Sequence, residues 1–358
     1  MSPEFLWYIP NTVEPGHRGD DVAGGWADLA LSTELARIIE DHGWGGALIG
    51  TGWGRPDTFT LATALAACTT RFQPLVAIRP GYWQPAHFAS AAATLDYLSQ
   101  GRLLVNIVSG LDNLAAYGDV EGDQAERYAR TKEFLQLTRL LWTEENVTFR
   151  GSYFGVEAST VTPRPFGAGE GRHPRLYFGG ASAAAEQVAA TEADVQLFWG
   201  EPLDGIAERI DRLGALTMSL GRVHAPLEFG LRITTLVRDT TEEAWRDAEA
   251  KVARMAEGAG LSRSDGHRGQ AVGQQRLLAL AERGEVLDSC LYTTPSKYGG
   301  EGAGTTWLVG SADEVAAALQ KYARLGVKHF VLSDTPYQRE AARVGDQLLS
   351  RLRDPVTA

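Results

Sequence analysis

Eight short apolar segments, each followed by a stretch with helical periodicity, run through this 358-residue chain in one uninterrupted series. Strands that alternate with helices favour a parallel sheet covered by helices. Eight such units predict an α/β fold, a closed (β/α)8 TIM barrel, rather than an open doubly wound sheet. We expect a single domain over residues 1–358, with strands at 5–9, 47–49, 75–79, 103–108, 176–178, 194–198, 227–237 and 329–332.

Two segments interrupt the regular series. Residues 147–156 alternate around an Arg-Gly pair and predict a small hairpin. Residues 258–305 show no clear strand, contain one helical run at 273–284 and end in the glycine-rich sequence KYGGEGAGT, after which a helix at 313–325 leads to the last strand. Long insertions after a barrel strand usually cover the active site, so we predict a mobile lid at the C-terminal face of the barrel. A surface excursion without function is the alternative.

The formal net charge of −11 argues against nucleic acid as a partner, because binding a phosphate backbone needs a surplus of Lys and Arg. A small anionic ligand in a locally basic pocket remains compatible with this charge. Cys68 and Cys290 are far apart and lack metal-ligand spacing, so we expect free thiols. No apolar run reaches the ~18 residues that a membrane span needs, and the N-terminus has no basic leader pattern. These features predict a soluble, cytoplasmic protein that does not bind membranes.

The sequence RLYFGGAS at 175–182 predicts a strand that turns through glycines into a helix. Gly179 and Gly180 permit a tight turn, and Ser182, after Ala181, can cap the helix that follows. Such a turn leaves backbone N–H groups free at a helix N-terminus, where phosphate binds. An ordinary strand-to-helix turn is the plainer interpretation.

The residues expected at the C-terminal ends of the strands are Trp, Tyr, Gly and Arg. They include no histidine and no carboxylate pair, so neither a metal site nor a hydrolase site is indicated. This set suits a flat aromatic cofactor that carries a phosphate and supplies the chemistry itself. Three tryptophans at strand ends could stack on the cofactor or the substrate, or could simply fill the mouth of the barrel: Trp53, Trp83 and Trp199.

Longer motifs support this interpretation. They are FLWYIPN, LVAIRPGYWQP, ATLDYLSQGRLLVNIVSG, ERYARTKEFLQLTRLLWTEENVTFRG, LYFGGAS, FWGEP, FGLRITTLVRD, EGAGTTWLVG and HFVLSDTP, and they cover almost the whole chain. In this order they resemble the bacterial-luciferase-like flavin-dependent monooxygenases, and within them the branch of alkanesulfonate and dimethyl sulfone monooxygenases.

The resemblance implies a two-component system, in which a separate NAD(P)H:flavin reductase supplies reduced FMN (FMNH2) and dioxygen is the co-substrate. Ser109 would contact the flavin ring. Tyr128 and Ser182, with the Gly179-Gly180 turn, would hold the phosphate. Arg232 would meet an anionic substrate or the activated oxygen. A homo-oligomer, either a dimer or a tetramer, is also expected by resemblance.

The departures from the family pattern fall in the substrate half of the site. Thr234 stands where the sulfonate enzymes carry a histidine, and Arg55 where they carry a cysteine. Their lid arginine falls on Gly300, with Lys297 the nearest cation, and the tyrosine of the last strand exit falls on Thr335, two residues before Tyr337. The flavin half is therefore kept and the substrate half changed, which puts simple alkanesulfonates in doubt.

Plainer roles exist for several of these residues. Arg232 could bridge strands, Arg55 could be a surface cation, and Tyr128 could belong to the core.

Three functions follow from these observations. The first is a reduced-FMN monooxygenase that oxidises an organosulfur compound, a sulfonate or sulfone, or else a non-sulfur or aromatic metabolite. The second is hydride transfer with a deazaflavin coenzyme, as in other members of the superfamily. The third is flavin binding without turnover.

Overall fold

A computed structural model describes residues 3–11, 29–52, 54–110, 114–119, 123–259, 271–298 and 305–353. Trp53 and Gly300 lie outside these ranges. The strands are β1 (Glu4–Ile9), β2 (Gly46–Ile49), β3 (Gln73–Ile78), β4 (Leu104–Ile107), β5 (Val147–Arg150), β6 (Gly155–Ser159), β7 (Arg175–Gly179), β8 (Val195–Trp199), β9 (Glu228–Arg238), β10 (Val286–Leu287), β11 (Leu291–Tyr292), β12 (Trp307–Ser311) and β13 (Val327–Ser333).

The helices alternate with these strands. They are α1 (Leu29–Asp41), α2 (Thr58–Ala67), α3 (Pro85–Leu98), α4 (Gln124–Thr143), α5 (Ala183–Glu192), α6 (Leu203–Ser219), α7 (Thr241–Ala259), α8 (Val272–Arg283), α9 (Ala312–Arg324), α10 (Tyr337–Val344) and α11 (Ser350–Arg353), with a π-helical turn (Gly345–Leu349) between the last two.

Eight parallel strands close into a ring in the order β1-β2-β3-β4-β7-β8-β9-β13. The ring confirms the (β/α)8 barrel, and its strands are those that the sequence predicts. Most of their residues are buried, because side chains fill the barrel interior on one face and helices cover the other. The predicted hairpin also forms, from β5 and β6.

A polar cluster fills the N-terminal end of the barrel. The Tyr177 hydroxyl donates to Glu4 at 2.8 Å, and the imidazole of His329 lies 2.8 Å from Glu4 and 3.0 Å from Glu228. Burial opposes ionisation of Glu4, but hydrogen bonds from His329 and Tyr177 and the charge of Arg175 lower its pKa. The cluster occupies this end of the barrel, so the cavity for a ligand must lie at the opposite, C-terminal end.

An extension of the sheet rises beside the barrel mouth. The second half of β9 continues past the ring and pairs with β12. The short strand β11 pairs with β12, and β10 pairs with β11 at the edge. A small second core packs this extension against α7 and includes Leu236, Val252, Tyr292 and Trp307. The expectation of no strand within 258–305 is therefore wrong at β10 and β11, and the sequence interpretation also omits β12. Strands of two residues are too short to show alternation.

Both cysteines are unpaired, as predicted: Cys68 is exposed and Cys290 is buried. Burial raises the pKa of the Cys290 thiol to about 11. Within the described ranges, no helix combines the length and the apolar character that crossing a bilayer requires. The same residues include no group of three or more His, Cys, Asp or Glu that could hold a metal ion.

Candidate active site

The turn from β7 into α5 forms as the sequence predicts. Gly180 adopts a φ of +143°, a conformation that residues with a Cβ rarely enter. A Cβ at this position would also lie 2.6 Å from the Cβ of Ala185. Ser182 caps α5, because its hydroxyl accepts the N–H of Ala185 at 3.2 Å. Only glycine fits at this position, where the turn comes close to the first residues of α5. The free N–H groups at the start of a helix can bind an anion.

Tyr128 of α4 reaches the same turn. Its hydroxyl is hydrogen bonded to Ser182 and lies 3.7 Å from where a Cβ on Gly180 would stand. Burial raises the pKa of Tyr128, although the Ser182 bond and the charges of Arg127 and Arg79 act in the opposite direction. The phenol therefore stays neutral near pH 7 and can donate a hydrogen bond to an anion. The structure thus brings together Tyr128 and Ser182, which are distant in sequence.

A basic recess lies beside Tyr128, where the exits of β3 and β4 face the start of α4. It encloses about 240 Å³, part of it open to solvent. Three guanidinium groups and one carboxylate are found among the described residues that line it: Arg79, Arg127, Arg130 and Asp119.

Guanidinium groups outnumber carboxylates among the described residues of this recess. Arg130 pairs with Asp119 at 2.6 Å, and Arg79 donates to the Gly110 carbonyl at 2.7 Å. Gly81 has no side chain, and this leaves room for Asp119 to approach. The described lining therefore has more cationic than anionic side chains, in a chain whose net charge is −11. Such a recess attracts small anions.

Ser109, the predicted flavin contact, lies at the edge of this recess. Its hydroxyl is 2.9 Å from that of Thr131, which itself donates to the Arg127 carbonyl at 2.9 Å. A hydroxyl has one hydrogen to donate, so Ser109 must be the donor towards Thr131. The lone pairs of the Ser109 oxygen then remain able to accept a hydrogen bond from a ligand.

Arg232 lies in the barrel mouth, on the inward side of β9. Its guanidinium carbon is 4.5 Å from the centre of the Tyr8 ring, a cation–π contact. The ring of Tyr337, at the start of α10, is 6.1 Å from the same Tyr8 ring. Tyr8 therefore joins two of the predicted residues, Arg232 and Tyr337, although sequence reasoning did not select Tyr8 itself.

Arg55 belongs to the same mouth and is not a remote surface cation. It donates to the carbonyl of Pro10 at the end of β1. A Cβ on Gly50 would lie 2.8 Å from the Tyr8 hydroxyl and 3.2 Å from Nη1 of Arg55, so both groups lie over that glycine. Asn11 fixes the loop, because its amide donates to the carbonyls of Gly50 and Pro56 at 2.9 and 2.7 Å.

Two threonines at strand exits have buried hydroxyls. Thr234 and Thr335 are both fully buried, and neither Oγ1 atom has a hydrogen-bond partner among the residues described. Thr234 pairs in register with Ser333 of β13 and with Trp307 of β12, where the ring meets the extension. A buried hydroxyl without a partner is a group that a bound ligand or water would engage.

The remaining predicted residues lie further apart. Trp199 is 38% exposed, is next to Arg232 in register, and approaches Gly273 at the start of α8. Trp83 packs instead against Phe59 and Phe88, at ring distances of 5.3 and 6.1 Å.

Lys297 lies in the 3-10 turn Thr294–Tyr298 and is exposed. Trp53 cannot be placed, because it is outside the described residues.

Sequence reasoning missed three residues of the site: Tyr8, Arg79 and Arg127. Tyr8 and Arg79 stand at predicted strand ends, so the position was available as a signal. Arg127 directly precedes Tyr128 on α4, and nothing in its local pattern separates it from a solvated helix face.

Comparisons with known proteins identify a family and several structures that share the fold. A family described as luciferase-like monooxygenase matches residues 4–329. A solved structure of riboflavin lyase RcaE, with modified FMN and the substrate riboflavin, is 19% identical and covers 99% of this chain and 92% of its own, with a TM-score of 0.74. Long-chain alkane monooxygenase LadA is 16% identical, with coverage of 99% and 93% and a TM-score of 0.74. An F420-dependent secondary alcohol dehydrogenase is 16% identical, with coverage of 99% and 100% and a TM-score of 0.70. At such identities the structural likeness shows a shared fold.

Proposed function

Because the chain belongs to the luciferase-like monooxygenase family, we propose that it is a two-component monooxygenase that uses reduced FMN and dioxygen to oxidise a small organic substrate. The family is the one that the sequence motifs indicate. A separate NAD(P)H-dependent reductase would supply the reduced flavin. From the motifs we propose an organosulfur compound, a sulfone or sulfonate, as the first substrate class to test.

The observation that carries the proposal is the basic recess next to the Gly180 turn. A phosphate at the turn beside this recess would meet the neutral Tyr128 hydroxyl and the N-terminus of α5, and the charges of Arg79 and Arg127, which already act on Tyr128, would favour it. Each of these favours a dianion. The phosphate of FMN fits this set, and the solved structure of RcaE is described as containing a modified FMN.

The residues of this chain would hold FMN along a path from α5 to the barrel mouth. Gly179, Gly180, Ala181, Ser182 and Tyr128 would bind the phosphate, while Ser109 would accept a hydrogen bond from the ribityl chain or the ring. Trp199, half-exposed at the mouth, would face the flavin or the substrate. Bound reduced FMN would supply the electrons with which dioxygen is activated.

The substrate would occupy the mouth between Tyr8, Arg232 and Arg55. Arg232 offers a fixed positive charge, held over the Tyr8 ring, that can orient an anionic or strongly polar group. The buried Thr234 hydroxyl can donate or accept a hydrogen bond but carries no charge. The pocket therefore fits a less anionic or larger substrate than a small alkanesulfonate.

The sheet extension (β10, β11 and β12) and helix α8 would exclude water from the barrel mouth. Helix α8 begins against Trp199 and is tied to the barrel by Arg276, whose Nε lies 3.1 Å from Glu201. When water is excluded from the mouth, the electrostatic interaction of Arg232 with the substrate becomes stronger. Fewer of the electrons supplied by reduced flavin are then lost without oxidation of the substrate. Lys297, in the 3-10 turn Thr294–Tyr298, would complete this cover.

A second candidate is hydride transfer with coenzyme F420. The match to the F420-dependent secondary alcohol dehydrogenase covers 99% of this chain and all of that one, so the same barrel accommodates that coenzyme there. F420 also carries a phosphate, so the basic recess alone does not separate the two cofactors.

Anaerobic titration separates the two candidates. The protein is titrated with reduced FMN and, in parallel, with reduced F420, and binding is followed by fluorescence. We expect reduced FMN to bind at least about tenfold more tightly, a difference of about 1.4 kcal/mol. Tighter binding of reduced F420 would favour the hydride-transfer candidate, and binding of neither would contradict both.

A further inference from the structure

The carbonyl group of Gly180, in the proposed phosphate turn, is held from the outer side of the barrel. Nη2 of Arg209 donates to it at 2.8 Å, and Nε2 of Gln196 donates at 3.1 Å. Arg209 belongs to α6 and is 2% exposed, with its guanidinium carbon 4.6 Å from the centre of the Phe198 ring. A buried arginine therefore helps to fix the orientation of this peptide group.

The orientation of this peptide has a direct consequence for the next residue. In a trans peptide the C=O of one residue and the N–H of the following residue point in opposite directions. Helix α5 packs between α4 and α6. Since the Gly180 carbonyl points towards Arg209 on α6, the N–H of Ala181 points away from α6, and α4, which carries Tyr128, is the other helix that α5 contacts.

The charges around Arg209 act on the same turn. Glu186, in the first turn of α5, accepts from Nε of Arg209 at 3.3 Å, and Glu201 accepts from its Nη1 at 3.0 Å. Both carboxylates are almost fully buried. Close to an anion site, unbalanced carboxylates would repel the ligand, and Arg209 contributes to their neutralisation together with Arg212 and Arg276.

We propose that Arg209 is a positioning residue for the phosphate group of the bound flavin. It fixes the Gly180 peptide so that the Ala181 N–H faces the ligand, and it balances Glu186 and Glu201 behind the turn. Arg209 does not contact the ligand itself. This inference rests on the proposed function, in that the ligand is taken to be FMN.

Removal of Arg209 should leave the fold intact. Glu186 keeps Arg212, whose Nη2 lies 2.8 Å away, and Glu201 keeps Arg276, whose Nε lies 3.1 Å away. Neither carboxylate is then left without a cation. Arg209→Met also retains the length of the side chain and its packing against Phe198.

The test compares FMN with riboflavin, which lacks the phosphate. Dissociation constants for both ligands are measured by fluorescence quenching in the wild type and in Arg209→Met. The variant should lose about tenfold in FMN affinity, with riboflavin affinity kept within about twofold. A general structural defect in the variant would lower the affinities for FMN and for riboflavin by similar factors.

Arg222→Met is the matched control, because Arg222 donates to the carbonyls of Ala190 and Ala193 at the other end of α5, at 3.0 and 2.7 Å. It should leave the preference for FMN over riboflavin unchanged. Equal loss of that preference in both variants would overturn the proposal, as would an unchanged preference in Arg209→Met.

Gln196→Leu provides an uncharged version of the test. It removes the other donor to the Gly180 carbonyl without changing any charge, and it decides the question if Arg209→Met fails to fold. A reduced FMN preference supports the proposal, and an unchanged one contradicts it.

If the wild type itself shows no preference for FMN over riboflavin, the proposed cofactor site is wrong. If the wild type shows a preference that no variant alters, only the role proposed for Arg209 is wrong.

Discussion

The guanidinium carbon of Arg232 lies 4.5 Å from the centre of the Tyr8 ring. The two residues are on β9 and β1, which are separated in the ring by β13. The contact holds the arginine over an aromatic face and limits its rotamer freedom, so its charge is presented to the barrel mouth. An arginine held in this way loses less entropy on meeting a polar substrate than a mobile one does.

Replacing Arg232 should affect the substrate and spare the flavin. Arg232→Ala should cost roughly 2–4 kcal/mol in kcat/KM, the range for removing a charge-assisted donor from a dry site. The affinity for FMN should stay within about twofold, since the proposed phosphate site is on α4 and α5. Steady-state kinetics and a flavin titration measure the two quantities. An equal loss in both would place Arg232 in the flavin site.

Gly180 should be intolerant of any side chain. In Gly180→Ala the new Cβ would lie 2.6 Å from Ala185, at a φ of +143°. The turn must then shift, and we expect at least about a tenfold loss of FMN affinity, about 1.4 kcal/mol.

Gly326→Ala is the control for Gly180→Ala. Gly326 also has a positive φ, of +107°, but nothing lies within 4 Å of its Cβ position, and it is in the loop before β13, at the opposite end of the barrel. This variant should lose stability and keep flavin affinity. Unchanged flavin affinity in Gly180→Ala, with the fold retained by circular dichroism, would move the phosphate site elsewhere.

The ion pair between Arg276 and Glu201 should keep the mouth closed. Arg276→Met removes the tie between α8 and the β8 exit, so water should enter more often and a larger share of the oxygen consumed should appear as hydrogen peroxide. Arg283→Met is the control on the same helix, because Arg283 pairs with Asp204 at the surface, with 49% and 65% of these side chains exposed. Exposed pairs contribute little. An equal peroxide yield in both variants would show that α8 does not guard the site.

Much of the fold could be predicted because the barrel strands are continuous apolar runs. Each of them is covered on both faces, so nearly all of its residues are apolar. The strand can therefore be recognised from composition alone. The extension could not be predicted in the same way. Its two-residue strands are defined by their pairing, β10 with β11 and β11 with β12, and strands this short leave no local periodicity.

The candidate site likewise contains residues that the local sequence predicts and residues that it does not. The Gly180 turn was predictable because glycine is required by a local backbone conformation. The role of Arg209 depends on partners brought near by helix packing, so no local pattern marks it. Tyr8 stands at a predicted strand end, but its contact with Arg232 depends on closure of the ring. Trp83 shows the limit of reading residue type at a strand end, since its ring packs against Phe59 and Phe88.

Asp96, at the end of α3, should make stability depend on pH. Burial raises the pKa of Asp96 to about 6, although the N–H groups of Phe166 and Leu103 donate to it. The folded state therefore binds more protons than the unfolded state between about pH 4 and pH 6, and the free energy of unfolding should fall as pH rises through this window.

Asp96→Asn removes this titration. From pH 4 to pH 7 the wild type should lose up to about 3 kcal/mol relative to this variant. Urea unfolding at a series of pH values measures the difference. A difference that is constant with pH, or that grows in favour of the wild type, would contradict the burial argument.

The most direct test of the central claim is transfer of one oxygen atom from dioxygen to a substrate. The protein is supplied with FMN, NADH and an independent flavin reductase under ¹⁸O₂, with a panel of sulfones, alkanesulfonates, thioethers, aldehydes and ketones. Mass spectrometry of the products, with Arg232→Ala alongside, should show one ¹⁸O atom in the oxidised form of at least one compound and far less of it with the variant. If all of the oxygen consumed appears as hydrogen peroxide for every compound, or if the oxygen gained by the product carries no ¹⁸O and therefore comes from water, the chain is not the monooxygenase proposed.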